Sequence, residues 1–183
     1  MRRQKHALWA ASVVIILIVL LFFFSGRRLG VPNVEYIGIT EQELFADNTG
    51  IIEVETKLKP GQQGTLVAKN DYELGKRFRL GVNAEGTVYL EISDSNQDLV
   101  LETTTVITDD ARHTIVAGMD TQRAWLTIDG TEEAAEEIHG LMSIWSSAEL
   151  TVGEDAAYED WTGESVEPLS GRILAVRAYG VDS

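Results

Sequence analysis

Residues 112–131 read RHTIVAGMDTQRAWLTIDGT. Apolar residues recur at every second position on both sides of a short polar link. Ile115, Ala117 and Met119 alternate with Thr114, Val116 and Gly118; Ala124, Leu126 and Ile128 alternate with Arg123, Trp125 and Thr127. Successive side chains of a strand point to opposite faces, so this period predicts two strands with one face in a core. Asp120-Thr121-Gln122 has the length of a hairpin connection. Asp129-Gly130 is a strong two-residue turn signal because glycine tolerates positive φ.

The flanking sequence repeats the pattern. Val34 to Ile39 reads as a first strand and Thr40 to Gly50 as a loop, in which 41–45 has room for one helical turn. In Ile51 to Leu58, residues Ile52, Val54, Thr56 and Leu58 face one way until Pro60-Gly61 ends the run. Thr65 to Lys69 is a short strand. Phe78, Leu80 and Val82 then pair, across the turn Asn83-Ala84-Glu85-Gly86, with Val88, Leu90 and Ile92, which places Arg77 or Arg79 opposite Glu91 on the exposed face. Leu99 to Ile107, Ala148 to Val152 and Gly171 to Tyr179 are further strands, the last with a bulge-like break in its alternation. Thr131 to Ser147 carries Ala134, Ile138, Leu141, Met142 and Trp145 at helical spacing, interrupted by Gly140, and reads as a short helix or as a strand end plus loop. Many short strands without a long helix specify an all-β, two-sheet antiparallel sandwich over residues 34–183.

Residues 1–26 are different. Leu8 to Phe24, LWAASVVIILIVLLFFF, contain no charge, Pro or Gly. At a rise of roughly 1.5 Å per residue the run reaches about 26 Å, just short of a ~30 Å hydrocarbon core, and Ser25 and Gly26 extend it. The competing reading is a cleaved signal peptide. That needs small residues at the cleavage site, whereas Phe22-Phe23-Phe24 and Arg27-Arg28 stand there. The sequence therefore predicts an uncleaved transmembrane helix contacting lipid through residues 8–24, with 27–33 as a linker. Arg2, Arg3 and Lys5 outweigh Arg27 and Arg28, which places the N-terminus in the cytoplasm and the C-terminal domain outside it.

The chain has 183 residues, 29 acidic against 15 basic, a formal net charge of −14, and no cysteine. Three of the basic residues precede the apolar run, so the remainder is more acidic still. Such a domain repels phosphate backbones, which argues against nucleic-acid binding. Without disulfides, its stability rests on packing.

The order of these segments resembles the laminin-G-like, concanavalin-A-like jelly-roll superfamily from Thr40 to Ser183. IIEVETKLKP followed by GTLVAKN is similar to the family's early strands. FRLGVNAEGTVYLEI looks like its central hairpin, and ARHTIVAGMDTQRAWLTIDGTEEA like its Trp-His strand and aromatic-x-Asp-Gly turn. AELTVGE and LSGRILAVRAYG are similar to its closing strands. Arg112 stands where the family has Trp. The resemblance implies the jelly-roll fold and, as expectations, a glycan or protein ligand and calcium. Glycan-cleaving enzymes on this fold resemble one another in Glu-x-Asp-x-x-Glu. Glu91 and Asp94 are one residue too far apart for it, and 159–164 lacks the alternating acids, so no catalysis is expected.

Candidate ligand contacts are Trp125, on the face away from the core, and Tyr158 and Trp161, aromatics among acids that suit either sugar stacking or burial under a loop. Glu154, Asp155, Glu159 and Asp160 are the candidate calcium ligands, with Asn70 and Asp71 at a rim; the alternative is a solvated acidic loop. His113 has no zinc-type partner spacing and reads as a strand-edge residue rather than a base. The expected function is a membrane-anchored, extracytoplasmic, non-catalytic recognition module for a glycan or protein. The alternative is a structural subunit of an envelope assembly.

Overall fold

The computed structural model describes residues 32–139, 142–155 and 168–180. The apolar run 8–24 and most of the acidic stretch lie outside them; among the described residues no helix is long and apolar enough to cross a membrane. Those residues form eleven strands: β1 (Val34–Ile37), β2 (Gly50–Lys57), β3 (Gly64–Asp71), β4 (Lys76–Val82), β5 (Val88–Ser93), β6 (Asp98–Glu102), β7 (Arg112–Met119), β8 (Arg123–Ile128), β9 (Thr131–Glu137), β10 (Thr151–Val152) and β11 (Arg172–Tyr179). A six-stranded sheet runs β1-β11-β2-β7-β8-β9 and a five-stranded sheet β10-β3-β4-β5-β6. The jelly-roll-type sandwich read from the sequence is present.

Period two does the work. Ile52 and Val54, Ile115, Ala117 and Met119, and Leu126 are fully buried on the inner face of the larger sheet. Phe78, Leu80, Leu90 and Ile92 meet them from the smaller one. Each of these side chains other than Ala117 contributes roughly 1.5–3 kcal/mol over exposure. The β7–β8 hairpin forms as its sequence demands. Asp120 Oδ1 accepts from the backbone N–H of Gln122 (2.7 Å) and Arg123 (2.8 Å) in the turn. At Asp129-Gly130 both residues take positive φ, 50° and 82°.

Five expectations are corrected. β1 joins β11 in parallel, so the larger sheet is not wholly antiparallel. β1 stops at Ile37 because Gly38 turns the chain with φ 72°. β6 ends at Glu102 rather than Ile107: Glu133 of β9 accepts the backbone N–H groups of Thr104 (3.0 Å) and Thr105 (2.9 Å), which draws that stretch off the sheet edge. Residues 131–137 are strand β9, paired with β8, and the stretch from Met142 to Leu150 is extended, with Met142, Ile144, Ser146 and Leu150 buried alternately. Of the two readings open for 131–147, the helix is excluded and the strand end plus loop stands; the apolar spacing arose from a mostly exposed strand followed by a segment buried at alternate positions. Consequently β10 shrinks to two residues, Thr151 and Val152. The bulge expected in the last strand falls between Ile173 and Ala175.

The 38–49 loop makes the anticipated turns. Glu43 N–H donates to Thr40 O (3.1 Å), while Thr40 N–H donates back to Glu43 Oε2 (2.7 Å). Leu44 and Phe45 of this loop enter the core, where the Phe45 and Phe78 ring centroids lie 4.7 Å apart.

Candidate ligand-binding face

Strand pairing sets out the outer face of the five-stranded sheet in rows. Ala68, Arg79, Glu91 and Val100 lie side by side across β3, β4, β5 and β6; Thr65, Gly81, Tyr89 and Glu102 form the next row. Arg79 therefore stands opposite Glu91, as the hairpin sequence allowed, but the pair is mostly covered rather than exposed, with side-chain exposures of 15% and 24%. Its Nη2 lies 2.6 Å from Glu91 Oε2 and its Nε donates to the same oxygen at 2.9 Å. Arg77 Nη1 approaches that oxygen at 3.4 Å. Two guanidiniums thus converge on one carboxylate.

Aromatic rings flank the pair. The Arg77 guanidinium carbon lies 5.4 Å from the Tyr72 ring centroid and that of Arg79 5.8 Å from the Tyr89 centroid, both cation–π distances. Tyr89 fits because residue 81 is glycine: a Cβ there would lie 2.4 Å from the phenol oxygen. Burial pulls the Arg79 pKa down, yet its interactions with Tyr89 and the Glu91 carboxylate outweigh that and raise it. Arg77 Nε is buried without a hydrogen-bond partner, so this cation is incompletely satisfied.

At the β10 side the face closes on a polar cluster. Asn70 Nδ2 donates to Asp155 Oδ2 at 2.5 Å, and the Tyr72 hydroxyl donates to the same oxygen at 2.8 Å. Burial and the adjacent Asp155 push the Tyr72 phenol well above its ordinary pKa, against a smaller pull from Arg77 and Arg79. Asn70 and Asp155 are both buried.

Of the sequence-predicted residues, Asp155 therefore sits beside this face, engaged with Asn70 and Tyr72, and Glu154 precedes it half-buried. Asn70 is buried rather than at a rim. Tyr158, Glu159, Asp160 and Trp161 lie outside the described residues. Among the described residues no three carboxylate or imidazole groups converge on a cation position. An aspartate oxygen shared by two donors suits hydrogen bonding better than calcium.

Trp125 lies on the other sheet. Its ring covers Gly118 of β7, where a Cβ would meet Trp125 Cζ2 at 2.3 Å, and the Arg123 guanidinium is 5.2 Å from its centroid. The structure does not bring Trp125 and Asp155 together. Tyr72, Arg79 and Tyr89 were not singled out as ligand contacts from the sequence, although the alternation Arg79-x-Gly81 against Tyr89-x-Glu91 already put them on one face.

His113 is not a strand-edge residue. It belongs to β7, an interior strand, and is buried between two aspartates. Nδ1 is 2.7 Å from Asp129 Oδ2 and Nε2 is 3.0 Å from Asp109 Oδ1. Both ring nitrogens face acceptors, an arrangement complete only for the imidazolium. Burial works against the charge, but the aspartate hydrogen bonds prevail and the His113 pKa is raised. The cluster ties the loop before β7 to the Asp129-Gly130 turn.

No protein-family model matches the chain, and a search of curated proteins finds no significant relative. Solved structures do match. The CBM40 of Ruminococcus gnavus IT-sialidase superposes with a TM-score of 0.60 at 17% identity over 75% of this chain and 79% of that one. Domains LG4-5 of the mouse laminin α1 chain give 0.58 at 12% identity, over 81% of this chain and 48% of the other. A pentraxin of Limulus polyphemus gives 0.54 at 12% identity, over 73% and 65%. These are concanavalin-A-like jelly-roll folds. The chain shares that fold.

Proposed function

We propose that the chain is a membrane-anchored, extracytoplasmic, non-catalytic recognition module whose outer five-stranded face binds a glycan. The carrying observation is the convergence of Arg77 and Arg79 on Glu91 between the Tyr72 and Tyr89 rings. Guanidinium forks and a carboxylate supply directed donors and acceptors for hydroxyls, and phenol rings supply flat apolar surface: the mixture that a sugar needs. The ion pairing holds the arginine side chains in place before any ligand arrives, which reduces the ordering cost of binding. The fold likeness supports this reading, since one of the similar structures is the Ruminococcus gnavus CBM40 bound to α2,3-sialyllactose. The apolar run 8–24 supports the anchor.

The test is a glycan array probed with the full chain in a sugar-free zwitterionic detergent, with and without calcium. The expected result is binding that Arg79→Gln and Tyr89→Ala abolish. A calcium requirement would support the candidate ligands Glu154, Asp155, Glu159 and Asp160. Absence of binding together with a co-purifying membrane partner would instead favour the structural-subunit reading.

A further inference from the structure

Residues 142–150 run extended across one end of the sandwich, the end that also carries the β3–β4, β5–β6 and β7–β8 turns. Their buried positions close the gap between the sheets. The positions between, Ser143, Trp145, Ser147 and Glu149, are exposed. Trp145 is 44% exposed, unusual for so large an apolar side chain.

Trp145 is also held still. Its Nε1–H donates to Gln42 O at 3.1 Å, from the loop after β1. Lys76 Nζ at the start of β4 donates to Trp145 O at 2.7 Å and to Ser143 Oγ at 3.3 Å. Ser143 N–H donates to Asp94 Oδ2 at 2.9 Å, from the turn after β5. Burial raises the Asp94 pKa, but the backbone donors and Lys76 lower it further, so the carboxylate stays ionised as an anchor. Three separate elements thus fix the backbone and ring edge of one exposed indole.

With Nε1–H already bonded, what the ring offers to a partner is its face, which is apolar and electron-rich. Beside its backbone carbonyl lies the Lys76 ammonium, which also donates to the Ser143 hydroxyl. A pyranose has the matching form: a C–H face bearing partial positive charge and a rim of hydroxyls. A protein partner fits less well, because interfaces have a contiguous apolar core, whereas the exposed neighbours along this segment are Ser143, Ser147 and Glu149.

We propose that Trp145, with Lys76 and Ser143 beside its backbone, is a second glycan contact at the end of the sandwich, separate from the sheet face, stacking a neutral pyranose. It rests on the reading that the ligand is a glycan.

The experiment uses the full chain in the same detergent, labelled with ¹⁵N at its four tryptophan indoles, the Trp145 resonance being assigned with Trp145→Phe. Lactose, cellobiose, maltose and N,N′-diacetylchitobiose are the probes. The expected result is a saturable shift of the Trp145 indole with at least one of them, and binding about tenfold weaker in Trp145→Ala at an unchanged melting temperature. Binding that Arg79→Gln removes but Trp145→Ala leaves intact overturns the end site and spares the face. Binding affected by neither substitution overturns both, and no binding of any probe overturns the end site, the face being decided by the array. Should Trp145→Ala fail to fold, the indole shift of the unaltered protein decides.

Discussion

The Tyr89 ring fills the space that a side chain at Gly81 would need. A Cβ on residue 81 would lie 2.4 Å from the Tyr89 hydroxyl oxygen and 2.5 Å from Cζ. The clash is with the far end of a side chain, so Gly81→Ala swings the ring aside rather than unfolding the sheet. The expected cost is about 1 kcal/mol, at the low end for overpacking. Urea denaturation of Gly81→Ala, Tyr89→Ala and the double variant checks this: the double variant is expected to regain most of the Gly81→Ala loss, because neighbouring sites are not additive.

His113 makes stability depend on pH. A raised folded pKa means that the imidazolium adds stability in full below its ordinary value near 6.5 and that this is lost as pH climbs through the raised value. Asp129 has a lowered pKa: burial raises it, and the Thr114 backbone N–H and His113 bring it below normal. Its contribution is present above the ordinary carboxylate range and lost as pH falls through the lowered value. The cluster is therefore strongest between about pH 4 and pH 6.5. His113→Gln is expected to lower the melting temperature most in that window and to flatten its decline above about pH 7. An equal loss at all pH values would contradict a charged ring.

Phe45 is a non-glycine residue at φ 66°, and its ring is held against Phe78 and over Gly50, where a Cβ would meet it at 2.6 Å. Core packing thus outweighs an unfavourable backbone angle. Phe45→Ala is expected to destabilise by about 3–5 kcal/mol, a large part of the stability of a domain this size. The midpoint of urea unfolding would report it. A loss below about 1 kcal/mol would show the loop to be marginal to the core.

Much of the sandwich was legible in the sequence because a one-residue slip in a half-buried strand reverses every side chain. β2, β4, β5, β7 and β8 announce themselves in this way, and Arg79 opposite Glu91 follows from turn length. Legibility ended where pairing was non-local. Nothing near Val34 says that it will lie parallel to Val176, and nothing in Thr104-Thr105 says that Glu133 will take their N–H groups. Residues 131–147 stayed ambiguous between helix and strand plus loop because β9 is mostly exposed and does not alternate, and only the stretch from Met142 buries every second residue. His113 seemed isolated because its partners, Asp109 and Asp129, are joined to it by two different turns. Of the candidate contacts, Trp125 lies on the outer side of its strand as periodicity suggested, whereas Asp155, read as part of an acidic loop, is buried beside the other sheet against Asn70 and Tyr72.

Glycan recognition by the five-stranded face is tested most directly by ring-labelled tyrosine. Tyr72 and Tyr89 lie at that face, while Tyr36 and Tyr179 belong to strands β1 and β11 of the other sheet. With the full chain carrying ¹³C tyrosine and titrated with a glycan identified on the array, the account predicts saturable shifts of Tyr72 and Tyr89 and none of Tyr36 and Tyr179. Saturating binding that leaves both Tyr72 and Tyr89 unmoved would contradict it.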